Sequence, residues 1–247
     1  MKPSDGMRSN RRLVLQSAGA SLVLWVLPHG AWAADARRGL RIGVIGSGRI
    51  GGTVGGLWVK AGHQVMFSSL DLEHDKALAA RLGAGARAGT PKEAGAFGEV
   101  LFISVPYAAL PSVGRDLGSA VRGKIVLDSC NPAPGRDGDM AIEARAKGTG
   151  VASPEFLPGA RLVRAFNSVG YGSLQAEAHR AGERIAIPLA GDDAEALRTA
   201  ERLVGDAGFE PVVVGSLARA KEFDPGTPVF GRALTAAELR RGLGINP

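Results

Sequence analysis

Cysteine is nearly missing from this chain: Cys130 is the one example among 247 residues. A single thiol excludes an intramolecular disulfide, so an oxidising compartment would be tolerated but not exploited. The four histidines do not combine with Cys130 in any metal-ligand spacing, and no metal is expected. His63 reads as a turn residue, and His74 and His179 as solvated helix residues. Aromatic residues make up 5% of the chain. No basic run is interleaved with them, so a nucleic-acid-binding strip is not expected in spite of the net charge of +6. Half of that charge is carried by Lys2, Arg8, Arg11 and Arg12 against Asp5, ahead of Ala34. No Ser-His-Asp set and no S-x-x-x-Y-x-x-x-K arrangement is present.

A long apolar run is also lacking. The stretch from Leu13 to Pro28 is interrupted by Gln16 and Ser17 and is short of the roughly 20 residues that span a bilayer. With Arg11-Arg12 before it and Ala31-Trp32-Ala33 after it, residues 1–33 read as a signal peptide cleaved after Ala33. Asn10-Arg11-Arg12-Leu13-Val14-Leu15 resembles the twin-arginine export motif. That resemblance implies a bacterial source, a periplasmic or secreted protein, and a chain exported already folded, often around a cofactor. No stable membrane insertion is expected after cleavage.

Hydrophobic residues and glycine are abundant. Hydrophobic residues make up 45%, enough for a sizeable core. Leu40 to Ile45 reads as a buried strand, Gly46-Ser47-Gly48 as a turn, and Ile50 to Ala61 as a helix. Gly46, Gly48 and Gly51 satisfy G-x-G-x-x-G in the strand–turn–helix setting that motif requires. Gly46 permits the tight turn, Gly48 the approach of a pyrophosphate, and Gly51 close helix–strand packing, with the free N–H groups of the helix start facing the phosphates. Strands follow at Gln64–Phe67, Val100–Val105, Lys124–Asp128, Arg161–Phe166, Arg184–Ala190 and Phe209–Val214. Helices are expected at Glu73–Leu82, from the Thr90-Pro91-Lys92-Glu93 capping box, at Ala108–Ala120, Ala141–Ala146, Gly172–Ala181, Asp192–Ala207 (capped by Asp192) and Thr235–Leu243. Gly83–Gly89 and Asn131–Asp139 read as loops. The alternation defines an α/β doubly wound parallel sheet: a dinucleotide-binding domain over 40–168 and a small α/β extension over 169–247 packed on the same sheet.

In such a sheet ligands bind beyond the carboxyl ends of the strands. Five places qualify: Gly46 to Arg49, Ser68-Ser69, Val105-Pro106-Tyr107, Asn131-Pro132 and Phe166-Asn167. The end of the second strand reads Ser68-Ser69-Leu70-Asp71. Two hydroxyls with no immediate carboxylate suit the 2′-phosphate of NADP, with Arg49 supplying charge, whereas Asp71 turned to the ribose would favour NAD. Ser68 and Ser69 also fit plain loop solvation, Pro106 and Pro132 strand termination, and Asn131 a turn. Phe166 and Cys130 read as core. Arg161, Arg164, Arg219 and Lys221 read as solvated surface.

Ile42-Gly43-Val44-Ile45-Gly46-Ser47-Gly48-Arg49-Ile50-Gly51, Val105-Pro106-Tyr107, Asp128-Ser129-Cys130-Asn131-Pro132 and Val163-Arg164-Ala165-Phe166-Asn167 together resemble the NADPH-dependent 8-hydroxy-5-deazaflavin coenzyme reductases. The likeness continues through Ala190-Gly191-Asp192-Asp193 and Phe209-Glu210-Pro211. It implies a Rossmann domain with a small C-terminal extension, a homodimer, and hydride transfer between NADPH and the deazaflavin, a small-molecule electron acceptor. It also implies that Val105 and Pro106 shape the channel from adenosine to nicotinamide, that Asn131 and Pro132 lie beside the nicotinamide, and that Asn167 fixes the carboxamide or the acceptor ring. Direct transfer between stacked rings needs placement rather than an acid or a nucleophile. The family often has arginine where Leu70 stands, and the same domain resembles the reductase part of certain membrane metalloreductases. A non-catalytic dinucleotide sensor or carrier is the alternative from another class.

Overall fold

The computed structural model describes residues 38–245. The expected signal segment, 1–33, lies outside the described residues. Eight strands form one sheet: β1 (Arg41–Ile45), β2 (Gln64–Ser68), β3 (Ala86–Ala88), β4 (Val100–Ile103), β5 (Ile125–Asp128), β6 (Arg161–Arg164), β7 (Ala186–Gly191) and β8 (Glu210–Gly215). The helices are α1 (Arg49–Lys60), α2 (Leu72–Leu82), α3 (Pro91–Phe97), α4 (Leu110–Leu117), α5 (Pro134–Asp137), α6 (Asp139–Lys147), α7 (Thr149–Ala152), α8 (Tyr171–Ala176), α9 (Ala194–Asp206) and α10 (Ala236–Gly242). The strand order is β3-β2-β1-β4-β5-β6-β7-β8.

Strands β1 to β6 pair in parallel, whereas β7 runs antiparallel to β6 and parallel to β8. The sheet is therefore mostly rather than wholly parallel. Residues 169–245 contribute β7 and β8 to it. The reversed pair is short, Val163↔Gly191 and Arg164↔Ala190, which leaves Pro188 outside the β6 ladder and Pro211 on the edge strand, where a missing N–H is tolerated.

The core follows the two-residue period of the strands. Ile42, Val44, Phe67, Phe102 and Leu127 face α1 and α9; Ile45, Leu101, Ile103 and Val126 face the helices on the other side. The scarce aromatics are concentrated here. Trp58 meets Phe102 edge-on at 5.2 Å and Phe166 at 5.8 Å, and Phe166 meets Phe209 at 6.3 Å. The Trp58 indole N–H donates to Leu203 O at 2.7 Å, so this ring locks α1 to α9 with its polar atom satisfied.

Several local expectations are corrected. The 83–89 loop contains β3, because Val65 N–H bonds Gly85 O and Gly89 N–H bonds Phe67 O along the free edge of β2. The 131–139 loop contains α5. The cap of α9 is Asp193, whose carboxylate accepts from Ala196 N–H; Asp192 accepts instead from Leu217 N–H at 2.9 Å. Helix α8 stops at Ala176, leaving His179 in a turn with φ 57°. The Thr90 and Thr235 capping boxes form as read.

Candidate dinucleotide site

Gly46 has φ +97°, and a Cβ there would strike the Ser104 carbonyl and sit 2.8 Å from Val105 Cγ1. The turn therefore packs directly on the end of β4 and tolerates only glycine. A Cβ at Gly51 would run into the Gly46 carbonyl and lie 3.2 Å from Val44. Gly48 differs: its φ is −65°, and a Cβ would meet nothing within 4 Å. Space is open on the loop where a phosphate would lie.

Gly46 and Ser47 turn their N–H groups inward, both onto Ser68 O at 2.8 and 3.1 Å. They fix the loop. The first intrahelical bond of α1 is Gly52 N–H to Gly48 O at 2.7 Å, so the donors offered at the mouth are those of the preceding first-turn residues, Arg49 and Ile50 among them.

Ser68 is fully buried and its hydroxyl donates to Val44 O at 2.7 Å; it closes the strand end and does not face the mouth. Ser47 Oγ donates to Asp75, and Ser69 Oγ donates to the other carboxylate oxygen of Asp75 at 2.9 Å. Asp75, on α2 and fully buried, thus ties the glycine loop to the end of β2. The sequence reading missed it, since an acid in the first turn of a helix usually signals only a favourable helix start. Asp71 caps α2 by accepting from His74 N–H at 2.9 Å. Leu70 is fully exposed. Arg49 and His74 line one groove of about 560 Å³ between α1 and α2, with Lys60, Arg81 and Tyr171. The Arg49 guanidinium lies 5.0 Å over the Tyr171 ring.

The remaining loops continue in strand order. Ser104 N–H bonds Ile45 O at 2.8 Å, and Ser129 N–H bonds Ile103 O at 3.0 Å. Val105 N–H points at Cys130 Sγ at 3.4 Å. Cys130 is buried, and burial pushes its thiol well up, so it packs as a small apolar residue. Pro106 is exposed and starts a short 3-10 turn. Pro132 is buried, and its carbonyl accepts from Arg145 Nε at 3.1 Å. Asn131 Nδ2 donates to Asn167 O at 2.7 Å. Asn167 is 3% exposed and its Oδ1 has no hydrogen-bond partner. Phe166, fully buried with φ 58°, turns the chain at that point.

Five strand ends, with Ser68, Gly46–Arg49, Val105–Pro106, Asn131–Pro132 and Asn167, thus form a continuous row. With neighbouring strands about 4.8 Å apart it runs for roughly 19 Å. The residues fit a dinucleotide at both ends: open space over a helix start at Gly48, and an orphaned acceptor at Asn167. Arg164 is not the solvated residue expected. It is fully buried, 2.6 Å from Asp128 and 3.8 Å from Asp224. The contact with Asp128 is an ion pair buried on both sides. Among the described residues no group of three or more His, Cys, Asp or Glu could hold a metal, and no helix is long and apolar enough to cross a membrane.

The fold is a Rossmann-like α/β fold, with the row of loops at the carboxyl ends of its parallel strands. Residues 41–132 match the model of the family described as "NADP oxidoreductase coenzyme F420-dependent", so this part of the chain is similar to that family. Over 198 residues the chain is 28% identical to Metalloreductase STEAP3 of Rattus norvegicus, covering 79% of this chain and 38% of that protein. It therefore spans about two-fifths of that relative. A hypothetical protein of Sinorhizobium meliloti shares the fold with TM-score 0.67 and 24% identity, covering 80% of this chain and 96% of the other. A candidate F420-dependent NADP-reductase from Arthrobacter sp. gives TM-score 0.65 and 20% identity, covering 74% and 88%.

Proposed function

We propose that the protein is an NADP-dependent oxidoreductase that passes a hydride between NADP(H) and a deazaflavin-type or related small-molecule acceptor. The observation that carries this reading is the open space at Gly48 over the free first turn of α1, at the head of a row of loops that ends in the unpartnered Asn167 Oδ1. The pyrophosphate is held by the first-turn N–H groups of Arg49 and Ile50. Val105 and Pro106 line the path along the row. Asn131, Pro132 and Asn167 orient the nicotinamide, whose chemistry is supplied by NADP(H) itself. Arg49 and His74 support the NADP preference, because both line the groove between α1 and α2 while the Asp71 carboxylate is engaged as a helix cap.

Titration of NADPH and NADH by quenching of protein fluorescence, followed by nicotinamide absorbance with and without the deazaflavin, tests the reading. Acceptor-dependent loss of NADPH signal is expected. Binding of neither dinucleotide at high micromolar concentration would sink it, and tight binding with no turnover on any acceptor would move the protein to the sensor class. Arg49→Gln is expected to weaken NADPH about tenfold, about 1.4 kcal/mol, and to leave NADH within about twofold. Equal loss for both would assign Arg49 to the pyrophosphate. A different acceptor is the second reading, favoured by the identity to a metalloreductase; the absorbance assay with ferric and cupric chelates separates the two. Export with cleavage after Ala33 and a homodimeric state belong to the same proposal, and are checked by N-terminal sequencing of the secreted fraction and by light scattering.

A further inference from the structure

Asp137 is 7% exposed and receives four hydrogen bonds from two separate loops. Its Oδ1 accepts from Ala108 N–H at 3.3 Å and from Arg136 Nε at 2.8 Å. Its Oδ2 accepts from Ala133 N–H at 2.9 Å and from Arg136 Nη2 at 2.8 Å. The same Nη2 donates to Asn131 O at 2.8 Å. Ala108 lies in the segment leaving β4, two residues after Pro106. Asn131 and Ala133 bracket Pro132 in the segment leaving β5. One of these hydrogen bonds, Ala108 N–H to Asp137 Oδ1, crosses between the two segments, and Arg136 braces that carboxylate against the Asn131 carbonyl on the β5 side. Arg136 holds the Asp137 carboxyl below its usual range, so the charged form needed for the arrangement persists at neutral pH.

None of these contacts touches the glycine loop or the end of β2. Those are tied separately through Asp75 and the Ser68 carbonyl. Each half of the row thus has its own brace, and the two halves meet where Gly46 packs on the end of β4.

We propose that Arg136 and Asp137 form a positioning clamp for the nicotinamide half of the site, setting the gap between Val105–Pro106 and Asn131–Pro132. The inference rests on the dinucleotide reading and adds to it a pair that does not itself touch the ligand. Charge-assisted bonds are the strong ones, and a gap held by backbone donors is fixed independently of the side chains that line it. Without the clamp the two segments stay joined at their roots through Ser129 N–H to Ile103 O and Val105 N–H to Cys130 Sγ, and the gap loosens beyond those contacts.

The test compares NADPH with adenosine 2′,5′-bisphosphate, which carries only the adenosine end, by calorimetric titration of the full chain. Asp137→Asn and Arg136→Gln are each expected to weaken NADPH about tenfold or more and to leave the bisphosphate within about twofold. Arg136 is half-exposed, so Arg136→Gln is the milder substitution, and circular dichroism checks that each variant is folded. Equal weakening of both ligands, or of neither, overturns the clamp. Wild-type protein that binds the bisphosphate but shows no gain from the nicotinamide half also overturns it. Wild-type protein that binds neither ligand overturns the dinucleotide reading, and the clamp with it.

Discussion

At the scale of single residues, the glycine loop separates folding from binding. Gly46→Ala places a side chain at φ +97° against the Ser104 carbonyl and is expected to cost about 2–4 kcal/mol of stability. Gly48→Ala meets no neighbour and has a backbone that alanine adopts, so its stability cost is about 1 kcal/mol or less. On the proposed reading it blocks the phosphate and weakens NADPH tenfold or more. Chemical denaturation and dinucleotide titration of the two variants give opposite orders. A Gly48→Ala protein that binds NADPH normally would remove the phosphate from this loop. The glycines were legible in the sequence because their backbone demands are local. Asp75, Asp137 and Arg164 were not, because a charged side chain looks the same in a linear pattern whether water or another loop receives it. Arg164 was even read as surface, since the two carboxylates that surround it, Asp128 and Asp224, are remote in the chain.

At the scale of elements, strands with continuous apolar runs and helices with capping boxes were legible, and a short edge strand was not. Nothing in Ala86-Arg87-Ala88 prefers a strand; the free edge of β2 imposes it. The His63 turn shows a similar limit. The turn itself was read correctly, yet His63 is 2% exposed and joins three elements. Its Nδ1 accepts from Leu40 N–H at 3.0 Å, ahead of β1, and its Nε2 lies 3.0 Å from Asp206 at the end of α9. The backbone donor requires an unprotonated Nδ1 and so assigns the proton to Nε2. Burial, partly offset by Asp206, pushes the imidazole below its ordinary value near 6.5. The unfolded chain therefore takes up a proton more readily. The contribution of His63 is full above about pH 6.5 and is lost as pH falls through the lower folded-state value. Melting curves from pH 7.5 to 5.5 should show falling stability, with a shallower fall in His63→Gln. Parallel slopes for the two proteins would show that the folded protein protonates His63 as readily as the unfolded chain does, and would overturn the lowered value.

At the scale of the molecule, the row of loops draws on residues from Gly46 to Asn167 and so on most of the sheet. A ligand that binds all of it stabilises the folded state as a whole. At 100 times its dissociation constant NADPH adds about 2.7 kcal/mol, which for a chain of this size raises the melting temperature by roughly 5–11 °C. Differential scanning fluorimetry should show one transition moving as a unit. A shift confined to part of a split transition would mean that β7 and β8 unfold separately from the strands that carry the row.

The reversal between β6 and β7 has a consequence of length. Because β7 and β8 direct their carboxyl ends to the opposite edge of the sheet, no further strand carboxyl end extends the row past β6. On the proposed reading the sheet acts as a ruler: a molecule laid along it from Gly48 would be measured off at Asn167, the last of the parallel strand ends. On the proposed reading, whatever exchanges electrons with the bound end would meet it at the terminus of a counted track.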